Sequence, residues 1–113
     1  MELARHSELV PFVTKDGSTI REYLHTSVQS LAEAALEPGQ ATERHYHRLA
    51  EEIYLITEGD GRLEVDGEER EVTAGDAILI PPGAWHMLVA GPAGTRLLCC
   101  CVPAYSHDDT YFA

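Results

Sequence analysis

Three histidines and one glutamate, His45, His47, Glu52 and His86, constrain this chain more than any other feature of its sequence. Side chains alternate between the two faces of an extended strand, so His45 and His47 point the same way and Tyr46 points away. Glu52 follows a short polar corner, from which a returning strand can bring it beside the pair, whereas His86 joins them only through folding. Imidazole nitrogens and carboxylate oxygens are good ligands for transition metals, so the pattern predicts one metal site.

Glycines and a proline stand at regular distances from these four residues. The first stretch reads Gly39-x5-His45-x-His47-x4-Glu52-x6-Gly59, and the second reads Gly75-x5-Pro81-x-Gly83-x2-His86. The two stretches resemble the two signature motifs of the cupin family. The resemblance implies an all-β fold, a cupin-type double-stranded β-helix (jelly-roll) barrel, with the three histidines and the glutamate as metal ligands.

Two details of the motifs bear on this ligand set. Ala90 stands where the second motif usually has an asparagine, which is not normally a ligand, so the metal site is expected to survive. Glu51 is the alternative to Glu52 as the carboxylate ligand, since the family has glutamates at either distance from the histidine pair. The six-residue interval to Gly59 favours Glu52. Adjacent side chains of an extended segment face opposite ways, so only one of the two carboxylates should face the site.

The remaining sequence predicts short strands separated by turns, as in a sandwich or barrel. Asp66-Gly67 is a preferred hairpin dipeptide, and chain reversals are expected at 59–61, 75–76 and 91–94. The alanines of segment 29–36 favour a helix, but the turn at 37–40 and the metal motif that follow lead us to predict a strand. One domain is expected over 1–113, with N-terminal strands over 1–28, the barrel over 29–102 and a tail over 103–113.

Composition and hydropathy limit the binding partners and the cellular location that we expect. The formal net charge of −11 disfavours binding to nucleic acids and to anionic membranes. No signal peptide is apparent at the start of the chain and no apolar run is long enough to span a bilayer, so we expect a cytoplasmic protein. The three consecutive cysteines, 99–101, are expected to be buried small hydrophobic residues of one strand.

Several further residues are candidates for the site or its surroundings. Tyr54 shares strand parity with Glu52 and either offers its hydroxyl to the barrel interior or is a core residue. Glu33 could reach the pocket as a general base, although a surface-facing position is the ordinary alternative. Segment 105–112 either closes the barrel mouth, packs on a neighbouring subunit or is a surface tail. Apolar residues expected to line the barrel are Leu63, Val65, Leu79 and Leu88.

These observations lead us to expect an enzyme that uses a divalent transition metal (Mn, Fe, Ni, Co, Cu or Zn) on a small oxygenated metabolite. Isomerase, lyase or decarboxylase chemistry is favoured, with the metal as Lewis acid. An Fe-dependent dioxygenase and a non-catalytic module that binds a small molecule or a metal are the alternatives. The resemblance also implies a homodimer, formed through an outer sheet face and exchanged terminal strands.

Overall fold

The computed structural model describes residues 1–113 and consists almost entirely of antiparallel β-structure, so the predicted all-β class is confirmed. One sheet curls into a jelly-roll barrel. Its nine strands are β1 (Phe12–Val13), β2 (Thr19–His25), β3 (Ser30–Leu36), β4 (His45–His47), β5 (Glu51–Val65), β6 (Glu68–Thr73), β7 (Ala77–Ile80), β8 (His86–Val102) and β9 (Thr110–Phe112). Two short 3-10 helices lie at His6–Glu8 and His107–Asp109. None of the helices has the length and apolar character needed to cross a membrane.

The long strands β5 and β8 bend around the barrel instead of reversing. Gly59 pairs with Thr95 but Gly61 pairs with Ala90, so residues 91–94 of β8 bulge out of the ladder. The reversals expected at 59–61 and 91–94 are therefore wrong, since both segments lie within continuous strands. Gly59 has a φ of 74°, and a Cβ there would collide with the carbonyl oxygen of Gly94. Its lack of a side chain is what lets the two backbones meet at the bend.

Two local predictions are confirmed. Asp66 and Gly67 have φ angles of 48° and 85° and form the hairpin between β5 and β6. Segment 30–36 is a strand despite its helix-favouring alanines, because it pairs with β2 on one side and with β8 on the other. Backbone pairing on two edges outweighs the small difference in intrinsic propensity.

Inward-facing side chains of the bent sheet fill the barrel. Leu63 and Leu88 are buried there as predicted, and Val65 packs against them. Leu79, which we expected to line the barrel, is instead 55% exposed. The uniformly apolar run 77–80 carries no alternation from which to read its facing. In the structure it is Ile78 and Ile80 that face inward, while Leu79 lies on the outer sheet face opposite Ile53.

Candidate metal centre

Strand pairing brings the three histidines of the motifs together. His45 and His47 project from the same face of β4, and His86 opens β8 as the direct antiparallel partner of His45. All three are buried, and one nitrogen from each lies within 4.8 Å of the other two. Residues 41 positions apart in the chain thus form one cluster because the short β4 pairs with β8.

Each imidazole is held by a partner on its Nδ1 atom. Nδ1 lies 2.7 Å from the carbonyl oxygen of Glu43 in His45, and 2.9 Å from that of Ala84 in His86. In His47, Nδ1 lies 3.1 Å from the hydroxyl of Thr110. A carbonyl oxygen only accepts, so in neutral His45 and His86 the proton resides on Nδ1 and Nε2 keeps its lone pair. This outer support of the ring is the usual arrangement around a metal-binding histidine.

Burial favours the uncharged form of His45. The pKa of His45 is lowered by burial and, to a smaller extent, by the neighbouring His86. A neutral imidazole is the form that donates a lone pair to a metal ion. The lowered pKa and the Nδ1 contact of His45 therefore both favour a neutral ring with a free lone pair on Nε2.

Glu52 faces the cluster and Glu51 does not. Glu52 is 4% exposed, whereas Glu51 lies on the outer face. The Oε1 atom of Glu52 lies 3.4 Å from Nε2 of His47 and 3.4 Å from Nε2 of His86. Burial raises the pKa of the Glu52 carboxyl, but the adjacent His47 and His86 lower it by more, so that the pKa falls to about 2.

Two buried atoms at the centre lack any partner. Oε1 of Glu52 and Nε2 of His86 make no hydrogen bond, although both are shielded from solvent. Lone pairs that face each other in a buried site are unfavourable, and a cation between them satisfies both. The donor set of neutral imidazoles and one carboxylate suits a divalent transition metal, so the residues present fit the metal that the motifs imply.

A cavity opens beside this centre. The cavity has a volume of about 70 Å³, which is enough for a small ligand. Tyr54 lines it, with its ring 6.0 Å from that of His86 in an edge-to-face arrangement. Burial, followed by the charge of Glu52, raises the pKa of Tyr54 well above its ordinary value. Its hydroxyl is therefore a hydrogen-bond donor at neutral pH.

Glu33 does not reach the cavity. Its neighbours Ala32 and Ala34 line the interior, so alternation places Glu33 on the outer face of β3. There its Oε1 atom lies 2.9 Å from Nε2 of His6 and 3.1 Å from Nη1 of Arg96. The carboxylate binds His6 and Arg96 outside the barrel, and a general-base role at the metal centre is incompatible with this position.

The C-terminal tail closes one side of the site. Strand β9 pairs with β4, so that Phe112 lies opposite His45 and Thr110 opposite His47. Tyr105 and Phe112 line the cavity, and the ring of Tyr105 packs 5.8 Å from that of His47. Of the three roles considered for this segment, closure of the barrel mouth is the one that the structure shows.

Asp16 lies at the site although no sequence pattern predicts it. Its Oδ2 atom lies 4.0 Å from Nε2 of His45. The turn between β1 and β2 folds over the barrel mouth and delivers this carboxylate to the cavity. No spacing relates Asp16 to the histidine motif, so only the tertiary structure reveals it.

The fold and the site define a small antiparallel β-barrel with a buried cluster of three histidines in its interior. The cupin domain model matches residues 32–101. This chain belongs to the cupin family.

The relatives include proteins with and without known chemistry. An uncharacterized protein of Methanocaldococcus jannaschii is 45% identical over 111 residues, covering 93% of this chain and 89% of its own. The dimethylsulfoniopropionate lyase DddW of Ruegeria pomeroyi is 43% identical over 63 residues, which is 56% of this chain and 41% of the lyase. The structure of Pac13 from Streptomyces, a nucleoside dehydratase, superposes with a TM-score of 0.85 at 17% identity, covering 100% of this chain and 91% of Pac13. A likeness at that identity shows the shared fold.

Proposed function

We propose that this protein is a metal-dependent enzyme whose centre is formed by His45, His47, Glu52 and His86. The observation that carries the proposal is the pair of buried atoms without partners, Oε1 of Glu52 and Nε2 of His86, which face each other. A divalent metal bound there would act as a Lewis acid toward an oxygen atom of the substrate. Isomerase, lyase or decarboxylase chemistry on a small oxygenated metabolite is the reaction class that we favour.

The chain itself supplies the rest of the reaction environment. The largely apolar walls exclude bulk water, which strengthens electrostatic interactions inside the cavity. Tyr54 keeps its proton and lies beside His86, so its Oη atom can donate a hydrogen bond to a substrate oxygen. The match to a lyase supports a reaction of the elimination type, since that name describes the removal of a group from a substrate.

Elemental analysis tests the metal centre. Protein purified without an affinity tag should contain close to one equivalent of metal, and His47→Ala and Glu52→Gln should lose it. His25→Ala is the matched control, because His25 is exposed and lies outside the cavity. Unchanged metal content in His47→Ala would contradict the proposed ligand set.

A turnover assay distinguishes the proposed Lewis-acid enzyme from a dioxygenase and from a non-catalytic binding module. The metal-loaded protein is offered keto acids, unsaturated sugars, catechols and flavonols, and consumption of each compound is measured. Bound iron together with oxygen uptake would favour the dioxygenase. Ligand binding without turnover would favour the non-catalytic module.

The homodimer implied by the family resemblance stays a prediction. Apolar residues on the outer face, Ile53, Leu79 and Val102, are between 44% and 55% exposed. Analytical ultracentrifugation tests the dimer, and a monomer at all concentrations would contradict it. The cytoplasmic location likewise stays a prediction.

A further inference from the structure

The carboxylate of Asp16 is held firmly with one oxygen free. Its Oδ1 atom accepts hydrogen bonds from the hydroxyl of Thr14 at 2.6 Å and from the backbone nitrogen and hydroxyl of Ser18 at 2.9 and 2.6 Å. Its backbone carbonyl accepts from the nitrogen of Glu43, which ties the turn to the segment before β4. All the hydrogen bonds to the side chain reach Oδ1, and Oδ2 is the atom that lies toward His45.

The cavity that Asp16 faces contains no fixed cation. Its lining includes the acidic residues Asp16, Glu22 and Glu52 but neither a lysine nor an arginine. The unpartnered, deeply buried atoms of Glu52 and His86 independently mark the cavity floor as a ligand-binding position. Together with a divalent metal, these three acidic side chains would leave the cavity with one net negative charge. A carboxylate that enters without a cationic group would add a second uncompensated negative charge.

Aromatic rings of Phe12, Tyr54, Tyr105 and Phe112 form much of the remaining wall. The faces of such rings attract cationic groups, and a carboxylate among them adds direct charge attraction.

We propose that Asp16 is a specificity-determining residue that selects zwitterionic substrates, small carboxylates that carry a quaternary ammonium or similar onium group. The substrate carboxylate would go to the metal centre, and the cationic group would lie between Oδ2 of Asp16 and the aromatic wall. Such a ligand adds no net negative charge to a cavity whose lining is acidic and contains neither lysine nor arginine. The inference rests on the proposed metal centre and specifies the substrate class of that site.

A pair of ligands with the same shape tests the selection. 3-(Trimethylammonio)propionate and 4,4-dimethylpentanoate differ in one central atom, a charged nitrogen in place of carbon, and both carry one carboxylate. Affinities for the zinc-loaded wild-type protein are measured by calorimetry. We expect the zwitterion to bind about tenfold more tightly than its carbon analogue. Equal affinities, or a preference for the carbon analogue, would overturn the inference.

Substitution then assigns the preference to Asp16. Asp16→Asn keeps an oxygen that can accept from Thr14 and Ser18, and we expect it to bind the two ligands with nearly equal affinity. Asp76→Asn makes the same change in charge at a turn outside the cavity and should keep the tenfold preference. If Asp16→Asn folds, as shown by circular dichroism, and still prefers the zwitterion, another group is responsible and the assignment is wrong.

Zinc content is measured on each sample before the ligands are added. A wild-type chain that fails to bind zinc or any other transition metal contradicts the metal centre itself. A chain that binds zinc but does not distinguish the two ligands contradicts only the role of Asp16.

Discussion

Sγ of Cys101 lies 3.3 Å from Oε2 of Glu52 and donates a hydrogen bond to it. The two residues are direct partners across β5 and β8, and both side chains face the interior. Burial, followed by the charge of Glu52, raises the pKa of the Cys101 thiol, so the thiol keeps the proton that it donates. This contact occupies one carboxylate oxygen and leaves the other to face His47 and His86.

Removal of this thiol should weaken the proposed metal site. Cys101→Val is close in volume but cannot donate, so Glu52 should lose its orientation and metal affinity should fall about tenfold. Cys101→Ser restores a donor and should recover most of the affinity. Competition titration with a chelating dye measures these values. Cys100→Val, on the outer face of the same strand, is the control, and an equal loss there would indicate a general effect on packing.

The contact between Thr110 and His47 should also support metal affinity. Thr110→Val keeps the shape of the side chain but removes the oxygen that lies 3.1 Å from Nδ1 of His47. We expect a loss of metal affinity of about tenfold with little change in stability. Thr57→Val removes an exposed hydroxyl elsewhere and should leave metal binding unchanged. Wild-type affinity in Thr110→Val would show that the tail does not support the ligand.

The bend at Gly59 should tolerate no side chain. Gly59→Ala requires a positive φ and also forces a Cβ against Gly94, so we expect a loss of about 3 kcal/mol in the free energy of unfolding. Gly67→Ala has a similar φ but open space around the Cβ position, and should cost about 1 kcal/mol. Urea denaturation compares them. Equal losses would mean that backbone strain alone, and not the close approach, explains this glycine.

The ion pair between Arg44 and Glu64 should give a measurable pH dependence. Nε of Arg44 donates to Glu64 at 2.7 Å and the backbone nitrogen of Gly67 donates at 2.8 Å, and these bonds lower the pKa of Glu64 from 4.5. The ionised form therefore stabilises the fold above about pH 4.5, and this contribution disappears as the pH falls through the lowered value.

Glu64→Gln should reduce the melting temperature by about 2–4 °C at pH 7 and by progressively less below pH 4. Melting curves at several pH values measure the difference between variant and wild type. Glu68→Gln, in an exposed pair with Arg70, should change the melting temperature less. A Glu64→Gln difference that persists unchanged in acid would point to a cause other than charge.

The sequence by itself determined the features that depend on local periodicity and spacing. Alternation along β4 predicts that His45 and His47 share a face, and the resemblance to the first cupin motif, through its interval to Gly59, favours Glu52 over Glu51. Asp66-Gly67 predicts the hairpin because its backbone angles are a property of those two residues. These predictions need no knowledge of distant parts of the chain.

Only the tertiary structure decided which distant groups meet. Asp16 reaches the cavity because the turn before β2 folds over the barrel mouth, and Thr110 reaches His47 because β9 pairs with β4. Glu33 and Leu79 face outward because strand pairing, and not composition, determines which side of each strand is inside. Long-range pairing is a cooperative property of the whole sheet, and a single sequence carries no local pattern that encodes it.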